Sequence, residues 1–123
     1  MGGSLFDDGT PWNLGELDTV LSRGLADQAI PGVTDPYLYV GSWKAMFGWH
    51  KEDLDLYSVN YLHLGSPKFW YSVDLDCNSK FEEFMQESFP ANYRRCREFI
   101  RHKGTLVHPN VLRQEDISMV KAQ

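Results

Sequence analysis

Residues 56–73 constrain the fold more than any other stretch. Leu56-Tyr57-Ser58-Val59-Asn60-Tyr61-Leu62-His63-Leu64 alternates in polarity, Gly65-Ser66-Pro67 interrupts it, and Lys68-Phe69-Trp70-Tyr71-Ser72-Val73 resumes an aromatic, β-branched run. Side chains of extended chain alternate between two faces, so such a pattern reads as a strand. With a turn signal between the runs, Leu56–Val73 predicts a β-hairpin. Tyr37-Leu38-Tyr39-Val40 opens β structure upstream, and Trp43–Trp49 extends it past Gly41.

Helical signals surround this β region. Asn13 is a candidate N-cap with Glu16 as its capping-box partner, and Leu14, Leu17, Val20, Leu21 and Leu25 form one apolar stripe. Ile30-Pro31-Gly32 and Asp35-Pro36 mark turns. Ser79-Lys80-Phe81-Glu82 predicts a second capping box, opening a helix with Phe81, Phe84 and Met85 inward and ending at Pro90. A further helix is expected over Asn92–Arg101, stopped by Gly104. Thr105-Leu106-Val107 reads as a short strand, and Pro109 starts a last turn of helix through Gln114. The sum predicts an α+β domain, mainly β, with one dominant antiparallel sheet and inserted helices.

The length of 123 residues suits one domain. A net charge of −5 argues against bulk, sequence-independent binding to a phosphate backbone. Two cysteines make no disulfide framework, which suggests a reducing compartment. No run of eighteen apolar residues is present, and no membrane role is expected. The reading is of a soluble intracellular chain.

Chemistry concentrates at Trp49-His50-Lys51-Glu52-Asp53. On extended chain His50 and Glu52 share a face. An imidazole nitrogen and a carboxylate oxygen aimed at one point are two thirds of the facial triad that holds non-haem Fe(II). A solvated turn carries the same residues, and spacing alone leaves both readings open. Lys68 beside Asn60 in a β pocket would want a carboxylate partner, since an unpaired buried ammonium is costly. A dicarboxylic acid that chelates a metal with its other end would supply one, with Phe47, Trp70 and Tyr71 as walls. A solvated Lys68 at a strand start is the competing reading. Cys96 and His102 offer half of a tetrahedral zinc site. Their six-residue separation on one helix favours instead a buried cysteine and an exposed histidine. His63 suits the core or a pocket rim, and His108 is not favoured as a third iron ligand.

Taken together, Tyr37–Lys44, Phe47–Asp53 and Leu56–Tyr71 closely resemble the JmjC-domain histone lysine demethylases, and nearest the subfamily acting on trimethylated lysines. Trp12-Asn13-Leu14-Gly15, Phe89-Pro90 and Phe99-Ile100-Arg101-His102-Lys103 extend the likeness over nearly the whole chain. The resemblance implies a double-stranded β-helix of the jelly-roll, cupin-like type, using Fe(II), 2-oxoglutarate and dioxygen to remove a lysine N-methyl group as formaldehyde. It implies His50 and Glu52 as iron ligands, with Asn60 and Lys68 on 2-oxoglutarate and Phe47 and Trp70 lining its pocket. Tyr39, Gly32 and Glu52 would contact the methylammonium, and Lys103 would stand near the oxygen path. Cys96 and His102 match half of a structural Zn(II) site, which reverses the spacing argument. The implied partners are a methylated histone tail and chromatin, without direct sequence-specific nucleic-acid binding, and the implied location is the nucleus.

The likeness also sets expectations of incompleteness. The family's third iron ligand and two further zinc cysteines correspond to positions beyond Gln123, and the JmjN segment to positions before Met1. Residues 1–123 therefore read as the N-terminal part of a JmjC domain, with an incomplete β-helix, expected to be inactive alone. Two other functions remain open at this point: a non-catalytic module that binds methyl-lysine on histones, and a related 2-oxoglutarate-dependent protein hydroxylase.

Overall fold

The computed structural model describes residues 13–25 and 28–123, with the Glu16 side chain excluded. The chain divides into two compact units, up to Ala45 and from Met46 onward.

In the first unit the buried Asn13 caps a 3-10 turn over Leu14–Glu16, its Oδ1 accepting from Gly15 N at 3.0 Å. Its expected capping-box partner, the Glu16 side chain, lies outside the described residues. The single helix expected over this stretch is broken at Leu17, which is extended, and restarts as α1, Val20–Leu25. Thr19 causes the restart. Its Oγ1 accepts from Ser22 N at 3.0 Å while Ser22 Oγ accepts from Thr19 N at 2.9 Å, a reciprocal cap that a continuous helix could not form. No residue of α1 is buried, so the apolar stripe read from sequence makes no core here. The Ile30–Asp35 turn forms as expected, Ile30 O accepting from Val33 N and Thr34 N at 3.0 and 2.9 Å. Gly32 takes φ +79°, and a Cβ there would lie 2.6 Å from the Tyr37 ring. Tyr37–Val40 has no regular secondary structure and no strand partner among the described residues.

The second unit holds the core. α2 (Asn78–Ser88) buries Phe81 and Met85, one turn apart, against Phe99, Ile100, Leu112 and Ile117. The helix begins one residue before the expected cap and has no side-chain cap bond, so the Ser79–Glu82 capping box is not used. Pro90 does not simply end α2: it is the first residue of α3 (Pro90–Arg95), where its missing N–H costs nothing. The helix expected through Arg101 stops at Cys96, which is extended, and a 3-10 turn over Phe99–His102 follows. Lys103 closes that turn with φ 58°. α4 (Pro109–Gln114) forms where Pro109 predicts it, capped by His108 Nδ1, which accepts from Asn110 N at 3.2 Å.

The sheet departs from expectation. β1 (Trp70–Val73) forms, but pairs antiparallel with β2 (Met119–Ala122) rather than with Leu56–Leu64. The register sets Trp70 opposite Ala122 and Val73 opposite Met119, and Asp74 N continues the ladder to Ser118 O at 3.1 Å. Val73 and Met119 both pack on the core, and that shared burial selects the pairing. Among the described residues this is a two-stranded sheet; the mainly-β layout and the full β-helix do not appear there, and Leu56–Leu64 and Thr105–Val107 carry no ladder. Alternation makes a segment able to be a strand, whereas a strand also needs a partner edge.

Candidate metal and anion site

His50 is placed by its neighbours. Gly48 is buried with its α-carbon against the backbone of residues 103–105; a Cβ would lie 2.6 Å from both the Lys103 and Thr105 carbonyl oxygens. Trp49 N donates to Thr105 O at 3.0 Å and Trp49 Nε1 to Val107 O at 2.9 Å. The indole lies 5.6 Å from the Phe81 ring and 6.5 Å from Tyr71. The residue before His50 is thus keyed into the core by shape and by two hydrogen bonds.

His50 Nδ1 lies 2.9 Å from the Gly48 carbonyl oxygen. A carbonyl only accepts, so Nδ1 donates in this contact, and Nε2 is the ring nitrogen turned towards Glu52 and the one that would ligate a metal. Nε2 stands 3.5 Å from Glu52 Oε1, the two side chains being 17% and 41% exposed. Ser58 Oγ donates to the same Oε1 at 2.9 Å. A ring nitrogen and an oriented carboxylate converging at a half-open surface suit a divalent first-row cation. Among the described residues no group of three or more His, Cys, Asp or Glu side chains converges, so these two form a pair and not a triad.

Past Glu52 the chain makes a 3-10 turn, Asp53–Asp55, in which Leu54 and Asp55 both have φ 55°. Arg101 reaches it, donating from Nη1 to Glu52 O and from Nη2 to Asp55 Oδ1 at 2.9 Å, while its Nε bonds Glu98 Oε2 at 3.1 Å. The hydrogen bond from Arg101, with its charge, lowers the Asp55 pKa below the ordinary 3.8, and Asp55 and Glu98 raise that of Arg101. Lys51 pairs with Glu82 of α2.

A second cluster forms around Lys68. Its Nζ donates to Asn60 Oδ1 at 3.2 Å and lies 5.0 Å and 4.7 Å from the Phe47 and Trp70 ring centres. Two aromatic faces and one amide oxygen hold a half-buried ammonium beside an open cleft of about 510 Å³, lined by Asn60, Leu62, Pro67, Lys68, Trp70 and Ala122. One hydrogen bond to Asn60 leaves an ammonium two further N–H groups, which suits a carboxylate.

The other sequence candidates lie apart in kind. Tyr39 and Gly32 belong to the first unit, where Tyr39 packs edge-on to Tyr37 at 6.4 Å. Lys103 is exposed at the left-handed end of its turn. Cys96 is half-buried against the core and His102 is exposed. Sequence reasoning missed Ser58, Gly48 and Arg101. Ser58 was within reach of it, since it alternates with Asn60 on the run that carries the anion-binding candidate. Arg101, 49 residues from Glu52, offers no local signal.

Residues 37–123 match the family model described as JmjC domain, hydroxylase. The chain belongs to this family. It is 49% identical over 94% of its length to probable lysine-specific demethylase 4F of Homo sapiens, covering 18% of that protein. To lysine-specific demethylase 4D of Rattus norvegicus it is 47% identical, covering 23% of it, and to 4B of Mus musculus 44% identical, covering 11%, each again over 94% of this chain. The chain therefore spans less than a quarter of the length of these curated relatives.

Proposed function

We propose that this JmjC chain is part of an Fe(II)- and 2-oxoglutarate-dependent demethylase of trimethylated lysine on histone tails, working at chromatin in the nucleus. The observation that carries the reading is the His50–Glu52 pair, with Nδ1 engaged on Gly48 O and Nε2 turned to Glu52 Oε1. The likeness to three lysine-specific demethylases supports the reaction class. Iron with 2-oxoglutarate and dioxygen would supply the oxidation that removes a lysine N-methyl group as formaldehyde, with His50 and Glu52 holding the metal and Lys68 and Asn60 the 2-oxoglutarate.

The chain's own residues bind and orient. His50 and Glu52 are two of the metal's protein ligands. Lys68 and Asn60 fit the distal carboxylate of 2-oxoglutarate, and Phe47 and Trp70 keep water from the lysine's flank. By the family likeness Glu52 is assigned to the methylammonium and Lys103 to the oxygen side. Cys96 and His102 supply half of a structural Zn(II) site, whose other ligands are expected from elsewhere in a complete β-helix. A pair of protein ligands holds a cation more weakly than a triad, so residues 1–123 alone are expected to be inactive.

The test is mass spectrometry of a trimethyl-lysine tail peptide incubated with the chain, iron, 2-oxoglutarate and air, with formaldehyde measured in parallel. No turnover by this chain, together with a loss of 14 mass units per cycle by a longer form containing it, is the expected result. A gain of one oxygen would make the enzyme a protein hydroxylase instead. Methylation-dependent peptide binding that ignores 2-oxoglutarate and iron would make it a non-catalytic reader.

A further inference from the structure

We propose that Arg101 is a positioning residue for the Glu52 carboxylate, fixing where the metal's acidic ligand stands; the inference rests on the metal reading of His50 and Glu52 given above. Leu54 and Asp55 are successive non-glycine residues at φ 55°, a conformation that persists only where the surroundings hold it. Arg101 brackets that turn at both ends, taking the Glu52 carbonyl with Nη1 and the Asp55 carboxylate with Nη2. Its third nitrogen is held by Glu98, so the planar fork has little freedom to follow the loop if the loop drifts.

The anchor is rigid for a reason within the core. Arg101 sits in the 3-10 turn Phe99–His102, and its neighbours Phe99 and Ile100 are buried with Met85 and Leu112. Placement thus passes from the core through Ile100 to Arg101, then to the Glu52 backbone, and from there to the carboxylate that Ser58 orients. On the other flank, Gly48 and Trp49 tie His50 to residues 103–107, just after Arg101. Both members of the metal pair are therefore referenced to one short segment, residues 99–107. A lysine at position 101 would keep the charge but could not serve three acceptors in one plane.

The experiment is a Mn(II) titration of the full chain, read by paramagnetic broadening of the His50 and Glu52 signals, with folding followed by thermal melting. Removing a group that orients a metal ligand typically costs about 10–100-fold in affinity, so Arg101→Ala and Arg101→Lys should each need at least about tenfold more Mn(II). Glu87→Gln, which removes an exposed carboxylate of α2 that touches neither Arg101 nor the loop, should titrate like the parent. Amide exchange at Asp55 and Leu56, whose N–H groups bond Glu52 O and Asp53 O, should quicken in both Arg101 variants. If Arg101→Ala does not melt cooperatively, Arg101→Lys decides. A folded Arg101→Lys chain that binds Mn(II) as tightly as the parent, while His50→Ala does not, overturns the role of Arg101. If His50→Ala itself binds like the parent, the metal reading falls instead.

Discussion

Replacing Gly48 with alanine tests how tightly the site is keyed to the core. Gly48 is not in the left-handed region, so alanine meets no backbone penalty there, and by restricting the unfolded chain it should stabilise by about 0.4–1 kcal/mol. Contact opposes this. The new Cβ would lie 2.6 Å from two backbone carbonyl oxygens, about 0.8 Å inside ordinary contact at 3.4 Å, and neither oxygen is at the end of a flexible side chain. Overpacking against fixed atoms costs about 1–3 kcal/mol. Any separation that relieves it also stretches the bond from Trp49 N to Thr105 O, a net hydrogen bond worth about 0.5–1.5 kcal/mol. Sterics therefore outweigh chain entropy, and Gly48→Ala should destabilise the chain by about 1–3 kcal/mol. Urea melts read the free energy directly. In a thermal melt the shift should be downward by about 4–8 °C per kcal/mol for a unit of this size. A Gly48→Ala chain that melts at or above the parent would show that residues 48 and 103–105 do not approach as described, and the placement of His50 would lose its support.

Met85→Ala removes a fully buried side chain at the centre of the core and should cost about 2–5 kcal/mol in a urea melt. Lys68→Ala should abolish binding of 2-oxoglutarate, read by calorimetry, whereas Asn60→Ala should weaken it by about 1 kcal/mol, since a neutral hydrogen bond is worth less than a charge pair. The Asp55 carboxyl should titrate below its ordinary 3.8 in an NMR pH series and return towards it in Arg101→Ala. Because its folded pKa is the lower one, the pairing favours the folded chain above the unfolded value and is lost as pH falls through the folded value.

What the sequence made legible was whatever its own neighbourhood decides. α4 begins at Pro109 because proline at a helix start wastes no donor, and α2 buries Phe81 and Met85 because they lie one turn apart. His50 and Glu52 face each other because two residues of extended chain return to one side, a fact visible without any tertiary contact. Where a distant partner decides, the pattern was silent. β1 could be drawn from its alternation, but its pairing with Met119–Ala122 depends on Val73 and Met119 sharing one core, which no local window contains. A continuous helix after Asn13 was undone by two hydroxyls, Thr19 and Ser22, that cap each other instead. His108, not favoured as a metal ligand, serves instead as the cap of α4, a role that its sequence position did not disclose.

The contacts behind the His50–Glu52 pair differ in kind, and the difference decides how the site should tolerate change. Gly48 acts by shape and is insensitive to salt or pH. Lys51 with Glu82 is a half-exposed ion pair, the sort that contributes little and is screened. Arg101 stands between these, because charge strengthens its bonds but the fork sets their direction. A site held only by surface ion pairs would loosen at high ionic strength. Here the imidazole is referenced to the core by packing, and the carboxylate by a three-pronged donor whose own backbone lies between Ile100 and the turn's end. The geometry of the pair is therefore a property of the helical core beneath it, even though both residues sit in a segment without secondary structure of its own.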